Sequence, residues 1–409
     1  MRLVYKFNNY QCNDELLRLC AISKSLYNQA LYVIKTNLEK ENRFTFYTEL
    51  NDVLKNIPNK EGEINYRKLK AQVSQQCLKI LDKNIKSYIK SIKDYSKHKE
   101  RYKSIPKFPG YKKRNSYNQL IYTNQCSSIH DGKIYFSRNL CIDIPQWEKY
   151  KDMISDFQQI RVNPKHDYTE IEIIYESSII NYELDQRRFA AIDLGLNNLI
   201  TMVNDFSEPI IYSGKQIKSK NQYFNKRISL LKSIAKTNNK KETTNQIKNL
   251  WNRRNRQIND ILHKVSRNIV NILIQNKVGN LIIGHNNGWK DSICIGKVNN
   301  QNFVMIPFYR LILYIKYKCK MAGINVIEHE ESYTSKCDGL ALEPIHKHEK
   351  YIGKRIKRGL FQSSCGKLIN ADVNGALNIM RKVVDDSYIN KIIDSGRLFR
   401  PIKFNNLYA

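Results

Sequence analysis

Asp193 stands in the stretch Phe189-Ala190-Ala191-Ile192-Asp193-Leu194-Gly195, a carboxylate inside an apolar strand pattern that runs into a glycine turn. A charge in such a place is costly unless something binds it, and a metal ion is the usual partner. A second acid, Asp372, lies in Asn370-Ala371-Asp372-Val373-Asn374-Gly375-Ala376, at the mouth of a predicted helix. Asp is also a common helix cap, so this residue alone divides between capping and chemistry. Two acids so far apart in sequence suit two-metal phosphodiester chemistry, in which carboxylates hold ions about 3.5–4 Å apart. A middle acid is needed as well. The apolar run Leu281-Ile282-Ile283 ends in Gly284-His285, where a glutamate would be expected. The next strand runs into Glu328-His329-Glu330-Glu331-Ser332, so three acids crowd the end of its neighbour.

The elements that must position these acids follow from periodicity. Leu3 to Phe7 reads as a strand, and from Asp14 the apolar positions Leu16, Leu19, Ile22, Leu26, Leu31 and Ile34 recur at helical spacing. A second helix is predicted over about 66–95, and Pro106, Pro109 and Gly110 end that helical lobe. The following segment reads as β structure. Asp131-Gly132 is a hairpin signal between Leu120-Ile121-Tyr122 and Lys133-Ile134-Tyr135-Phe136, and Thr169 to Tyr175 is a further strand. This predicts an antiparallel barrel-like or sheet module over roughly 105–180, with the helical lobe inserted after its first strand. From 187 come two antiparallel strands around Gly195, a third at Ile210 to Tyr212, and a charged helical segment over 215–275. A buried parallel strand at 280–284, a helix over about 303–322 ended by Gly323, and a strand at 324–327 follow. Three strands, then helix, strand, helix, strand and helix, is the element order of the ribonuclease H fold. The Lys/Asn/Thr-rich patch at 236–245 reads as disordered, and the residues after Asp386 as a mobile tail.

The chain carries 69 Lys and Arg against 38 Asp and Glu over 409 residues, a net charge of +31. That excess points to a polyanionic partner, with nucleic acid ahead of an anionic membrane surface. No stretch reaches the about 20 apolar residues of a membrane span, and no signal-peptide block follows the first residues. A cytoplasmic, bacterial location is therefore expected. The nine cysteines include no C-x-x-C pair and read as reduced, mostly buried thiols. Between Lys97 and Arg114, cations that include Lys107, Lys112 and Lys113 interleave with Tyr102, Phe108 and Tyr111. Cations that neutralise phosphates beside rings that stack on bases suit single-stranded or irregular nucleic acid.

Asp193-Leu194-Gly195-Leu196-Asn197-Asn198-Leu199, Ser332-Tyr333-Thr334-Ser335-Lys336, Gly353-Lys354-Arg355-Ile356-Lys357-Arg358-Gly359-Leu360 and Asn370 to Ala376 together resemble TnpB. This is the RNA-guided nuclease family of bacterial insertion sequences and the presumed ancestor of type V CRISPR effectors. The likeness covers essentially the whole chain and is strongest over 187–384. It implies a mixed α+β and α/β fold. A wedge-like β-barrel would occupy 1–10 and 105–186, with a helical recognition lobe at 11–104. An RNase H-like (RuvC) nuclease domain would take 187–336 and 368–385 with 215–275 as a helical insertion, followed by a flexible basic tail at 386–409.

Carried over position by position, Asp193 matches the first RuvC acid and Asp372 the third. Gly284 falls where most members have a glutamate, and the chain resembles the subset that moves this acid to the strand before Tyr-Thr-Ser-Lys. The match there is Glu331, with Glu328 and Glu330 as alternatives. Two Mg²⁺ or Mn²⁺ ions are implied as cofactors, and Asp193, Glu331 and Asp372 as both metal ligands and catalytic residues. Most members also carry a four-cysteine zinc module before the last acid. Here 337–367 keeps only Cys337 and Cys365, with His346 and His348 between them, so zinc is not expected. The basic residues of that insertion, Lys354, Arg355, Lys357 and Arg358, with Lys336 before it, are expected on nucleic acid. By the same analogy Lys107, Tyr111, Lys112, Lys113 and Arg114 lie near guide RNA and the flanking motif, and Arg253 and Arg254 line a heteroduplex channel. The implied partners are a guide RNA from the transposon end and double-stranded target DNA, with the protein a monomer on its RNA. A nuclease-deficient RNA-guided repressor and a transposase are the competing readings.

Overall fold

The computed structural model describes residues 1–11, 13–239, 243–286 and 296–405. Cys12, Cys294 and positions 240–242 of the patch at 236–245 lie outside the described residues. The chain divides into two compact units, Met1–Ser177 and Ser178–Ala409.

In the first unit β1 (Arg2–Asn9) leads to α1 (Asp14–Glu41), α2 (Tyr47–Leu54) and α3 (Ala71–Lys97). Strands β2 (Leu120–Thr123), β3 (Ser128–His130), β4 (Lys133–Ser137) and β5 (Leu140–Asp143), helix α4 (Trp147–Ile154), and strands β6 (Phe157–Pro164) and β7 (Thr169–Glu176) follow. The Asn13 side chain caps α1 by accepting from Leu16 N–H, and Asp14 and Glu15 lie in its positive first turn. The sheet order is β1-β7-β6-β2, with a separate three-stranded sheet β3-β4-β5. The barrel expectation is corrected here: β2, four residues long, pairs with β6 and not with β1, so the pairing is an open sheet among the described residues. The hairpin at Asp131-Gly132 forms, both residues having positive φ as a two-residue primed turn requires. Its first arm is β3, because a two-residue turn pairs His130 with Lys133; Leu120 to Tyr122 pairs with β6 instead.

In the second unit β8 (Asp185–Leu194), β9 (Asn198–Asn204) and β10 (Ile210–Ser213) precede α5 (Lys215–Asn239) and α6 (Asn245–Gln275). Then come β11 (Val278–Gly284), α7 (Lys297–Val304), α8 (Phe308–Met321) and β12 (Asn325–His329). The helix predicted over 303–322 is two helices divided at Pro307, whose ring cannot continue a helix through that point. The unit closes with β13 (Lys354–Lys357), β14 (Leu360–Gln362), β15 (Leu368–Asn370), α9 (Ala371–Arg381), α10 (Asp386–Asp394) and β16 (Ile402–Phe404).

The six-stranded sheet runs β12-β11-β8-β9-β10-β16, with β11 parallel to both β8 and β12. Strand alternation sends side chains to two cores. Ala190, Ile192 and Leu194 of β8 pack with α6 and α8, whereas Ala191 and Ile282 pack with α9 and α10. Asp193 therefore belongs to the α9 face, two residues beyond Ala191. The tail expectation is corrected: Ile389 and Ile392 of α10 are buried, and the Tyr388 hydroxyl accepts from Phe189 N–H at 3.0 Å. Beyond α10, β16 adds a parallel strand to β10, with Phe404 stacked on Tyr212 at 5.3 Å. Short apolar signals at i and i+3, or at i and i+2, are too brief to stand out in a basic sequence, yet each finds a preformed surface.

Candidate active site

Asp193 lies near the carboxyl end of the central strand β8, opposite buried Thr201 of β9. Helix α9 crosses this face, and Gly375 permits a close approach: a Cβ there would sit 3.1 Å from Asp193 Oδ2. Asp372 is not the helix cap. Asn370 takes that role, its Oδ1 accepting from Asp372 N–H at 2.9 Å and Val373 N–H at 3.3 Å, which leaves the Asp372 carboxylate outside the cap. Asn198 Nδ2 donates to Asp372 Oδ2 at 2.6 Å, and Arg355 of β13 stands 3.9 Å from Oδ1. Asn198 is a site residue that periodicity could not show, since an Asn after a turn reads as turn chemistry.

Packing around position 284 bears on the middle acid. A Cβ on Gly284 would come within 2.4 Å of Ile379 Cδ1 and 3.4 Å of Glu331 Cβ. Ile379 of α9 fills the room a side chain at 284 would need, and Glu331 lies beside it. Glu331 is held by its backbone: its N–H donates to Asn286 Oδ1 at 3.0 Å and its carbonyl accepts from Thr334 Oγ1 at 2.7 Å. The two alternatives are engaged elsewhere. Glu328 is paired with Lys316 of α8, on the opposite face of β12 from Ile327 and α9, and Glu330 accepts from Ser332 Oγ.

Electrostatics tie the three acids together. Burial raises the Asp193 carboxyl well above the usual carboxylate range, and the charges of Glu331 and then Asp372 raise it further. The Leu194 N–H and Arg355 oppose this. Burial pushes Glu331 up to about 7 against the pull of Lys382. Among the described residues no group of three or more His, Cys, Asp or Glu side chains is arranged to hold a metal ion as it stands. The donor chemistry nevertheless fits hard divalent cations: Asp193 feels two other oxygen acids at a place where a cation would relieve it.

The insertion over 337–367 is built differently. Cys337 is buried with its Sγ toward the carbonyls of Pro344 and His346, and burial raises its thiol pKa, while Cys365 is exposed. His346 and His348 turn their ring nitrogens to the backbone oxygens of Lys347 and Pro344. This donor set does not fit zinc. The segment is knotted instead by Asp338, which is fully buried. Its Oδ1 accepts from Leu340 and Ala341 N–H, and its Oδ2 from Ser363 Oγ, Ser364 N–H and Ser364 Oγ. Glu343 ties the same loop by accepting from Asp338 N–H at 2.7 Å and Ile352 N–H at 3.0 Å. The basic hairpin β13–β14 rises from this knot.

Lys354, Arg355 and Lys357 are exposed along β13 and Arg358 in the turn beyond it, while Lys336 sits 5.8 Å from the Tyr351 ring. In the first unit Lys107, Tyr111, Lys113 and Arg114 are exposed, and Lys35 lies 4.5 Å from the Tyr111 ring. Lys112 is half-buried, its ammonium 4.8 Å from the Tyr27 ring and its N–H bonded to Asn28. Arg253 is exposed and Arg254 is half-buried. Its guanidinium donates to Asn221 Oδ1, Asn255 Oδ1 and the Met305 carbonyl, so it clamps α5, α6 and the α7–α8 junction.

Known proteins bear on this arrangement in three ways. A family model for the OrfB protein of IS605, described as a probable transposase, matches residues 172–290, and a Cas12f1-like TNB domain model matches 308–379. A TnpB-like protein, ORF457 of Acidianus two-tailed virus, is 26% identical over 206 residues, which span 48% of this chain and 42% of the viral protein. The cryo-EM structure of a Cas12f1–sgRNA–target DNA complex superposes with a TM-score of 0.54 at 15% identity. That match covers 90% of this chain and 83% of that one, and it is a likeness of fold. With the RuvC-type element order and an acid at each end of it, the chain is similar to the TnpB family over the residues these matches span.

Proposed function

We propose that this protein is a transposon-encoded, RNA-guided DNA endonuclease that hydrolyses target phosphodiester bonds beside a short flanking motif. Asp193, Glu331 and Asp372 would hold two divalent cations, Mg²⁺ or Mn²⁺. The observation that supports this most is the convergence of carboxylates from a strand, a loop after a strand and a helix start, with Asp193 sensing both others. Such cations, when bound, would activate the attacking water and stabilise the leaving oxygen. The protein's own groups supply orientation. Asn198 fixes one Asp372 oxygen, the bond from Glu331 N–H to Asn286 anchors the loop that carries Glu331, and Arg355 offers a charge to a phosphate. No zinc is invoked.

Sequence would be read by pairing between a transposon-end guide RNA and the target strand, with exposed cations holding backbone. Lys107, Lys113, Arg114, Arg253, Lys336, Lys354, Lys357 and Arg358 are exposed and suit that role, the working particle being a monomer on its RNA. Two other readings each have one supporting observation. Position 284, where the resemblance implies an acid, is glycine, as in a guided repressor that no longer cuts. The matching family model is described as a probable transposase, and strand transfer uses similar acids.

The test is cleavage of a plasmid library by protein coexpressed with its downstream RNA, comparing wild type, Asp193→Ala and Glu331→Gln. Cutting that requires RNA and Mg²⁺ and vanishes in both variants is the expected result. Guided binding without cutting by the wild type would favour the repressor, and joined rather than cut products would favour the transposase.

A further inference from the structure

Two asparagines one turn apart on α9, Asn374 and Asn378, are fully buried. Asn is a poor helix former, and a buried amide is tolerated only where its donors and acceptor are met. Both side chains meet theirs on the loop that follows β12. Asn374 Nδ2 donates to the Cys337 carbonyl at 2.9 Å, and its Oδ1 accepts from Gly339 N–H at 2.9 Å. Asn378 Nδ2 donates to the carbonyls of Thr334 at 2.9 Å and Cys337 at 2.8 Å. The Asn378 Oδ1 accepts from Arg381 Nη1 at 2.8 Å, which also donates to the Glu343 carbonyl at 3.0 Å. With its oxygen so engaged, the Asn378 amide keeps its hydrogens toward the loop. The loop lies close against the helix: a Cβ on Gly339 would stand 2.9 Å from Asn374 Oδ1 and 3.1 Å from Asn378 Oδ1.

The two asparagines differ in what they hold. Asn374 reaches Cys337 and Gly339, at the root of the insertion. Asn378 alone reaches Thr334, and Thr334 is tied to Glu331: its Oγ1 donates to the Glu331 carbonyl at 2.7 Å and its N–H to the same oxygen at 3.3 Å. Asn378 is therefore two hydrogen bonds from the backbone of Glu331. The same rigid helix carries Asp372 in its first turn and packs Gly375 against Asp193. One helix thus touches the carriers of all three acids, through a side chain, a glycine contact and a relay.

We propose that Asn378 is a positioning residue that sets Glu331 against Asp372 and Asp193 through Thr334, and so fixes the spacing of a divalent-cation site. The proposal rests on the nuclease reading for the choice of these three acids as ligands. Small hard cations demand near-ideal ligand geometry, so an acid on a loop binds them well only if the loop is held. Groups behind the ligands supply that hold, and their loss weakens metal binding without removing a ligand. Asn374, which leaves Thr334 untouched, holds the insertion and not Glu331.

Mn²⁺ binding by the full chain, free of nucleic acid and read by electron paramagnetic resonance, tests this without any cleavage step. Asn378→Ala and Thr334→Val should each weaken Mn²⁺ binding by about tenfold. Thr334→Ser, which keeps the hydroxyl, should bind as the wild type does. The double variant Asn378→Ala/Thr334→Val should bind no more weakly than either single one, because both break the same chain of bonds. Asn374→Ala strands the Gly339 N–H and should lower the melting temperature as Asn378→Ala does, yet keep wild-type Mn²⁺ affinity. Wild-type affinity in Asn378→Ala and Thr334→Val overturns the proposal, and so does equal weakening by Asn374→Ala, which would reduce Asn378 to loop stability. If Asn378→Ala does not fold, Thr334→Val against Thr334→Ser decides alone. A wild type that binds no Mn²⁺, or whose binding survives Asp193→Ala, sinks the metal-site reading itself and the proposal with it.

Discussion

Two aspartates in the second unit, Asp338 fully buried and Asp193 partly so, have opposite fates. Asp338 gathers five donors from two loops and satisfies both of its oxygens within the protein. Asp193, beside α9, receives the Leu194 N–H and has two further carboxylates as electrostatic neighbours. A buried acid with its lone pairs filled is architecture, because removing it strands the donors that face it. A partly buried acid surrounded by other acids is strained as it stands, and the strain is relieved by a ligand from outside. The contrast also explains how the insertion over 337–367 keeps its shape with two cysteines: one carboxylate collects the loop ends that metal-bound thiolates would otherwise hold.

The comparison breaks most readily at Asp193. Asp193→Ala should reduce guided cleavage on the order of a thousandfold, as loss of a catalytic group that acts as part of a set does. In chelator it should leave the melting temperature unchanged or higher, since it removes repulsion and desolvation. A clear drop in melting temperature would mean that Asp193 is architectural like Asp338. The converse variant, Asp338→Ala, leaves buried serine and backbone donors without partners and should cost about 3 kcal/mol. That is a fall of roughly 6–12 °C for a unit of this size, and added zinc should not restore it. Rescue by zinc would show that Cys337, Cys365 and the two histidines hold a metal after all.

Gly284 gives a smaller effect that bears on the same boundary. Gly284→Glu puts a side chain against Ile379 and should destabilise by about 1–3 kcal/mol through overpacking. Adding Ile379→Ala should recover part of that loss, measured by thermal unfolding. If Gly284→Glu is neutral alone, the steric account of why the acid stands at 331 fails.

How much of this could be read from the chain depends on the range of the signal. Asp193 was legible because a charge in an apolar strand contradicts its surroundings, and Asp372 because it sits in a helix-start pattern. That the cap is Asn370 was hidden, since Asn and Asp compete for that place on equal terms. Glu331 was preferred to Glu328 and Glu330 by resemblance, and the packing that goes with that preference, Ile379 over Gly284, lies 95 residues from that glycine in sequence. The Asp338 knot left no trace, because serines at 363 and 364 read as loop residues until the loop closes on a carboxylate.

The subtlest difference between the two aspartate sites is their response to pH. Glu331 is pushed up to about 7 and Asp193 is raised as well, whereas an unfolded glutamate ionises near 4.5. An acid whose folded pKa exceeds its unfolded one binds its proton more tightly in the native state, so stability falls as pH rises between the two values. In chelator the melting temperature should therefore decline from about pH 4.5 to about pH 7, the window set by Glu331, by a few degrees. Millimolar Mg²⁺ or Mn²⁺ should abolish the decline by binding the ionised acids in the native state. Asp193→Asn/Glu331→Gln should flatten it without any metal, while Asp338→Ala should lower the whole curve and keep its slope. If the double variant keeps the wild-type slope, the acids around Asp193 are not the ones that carry unrelieved charge, and the distinction between a satisfied and an unsatisfied carboxylate loses its functional meaning here.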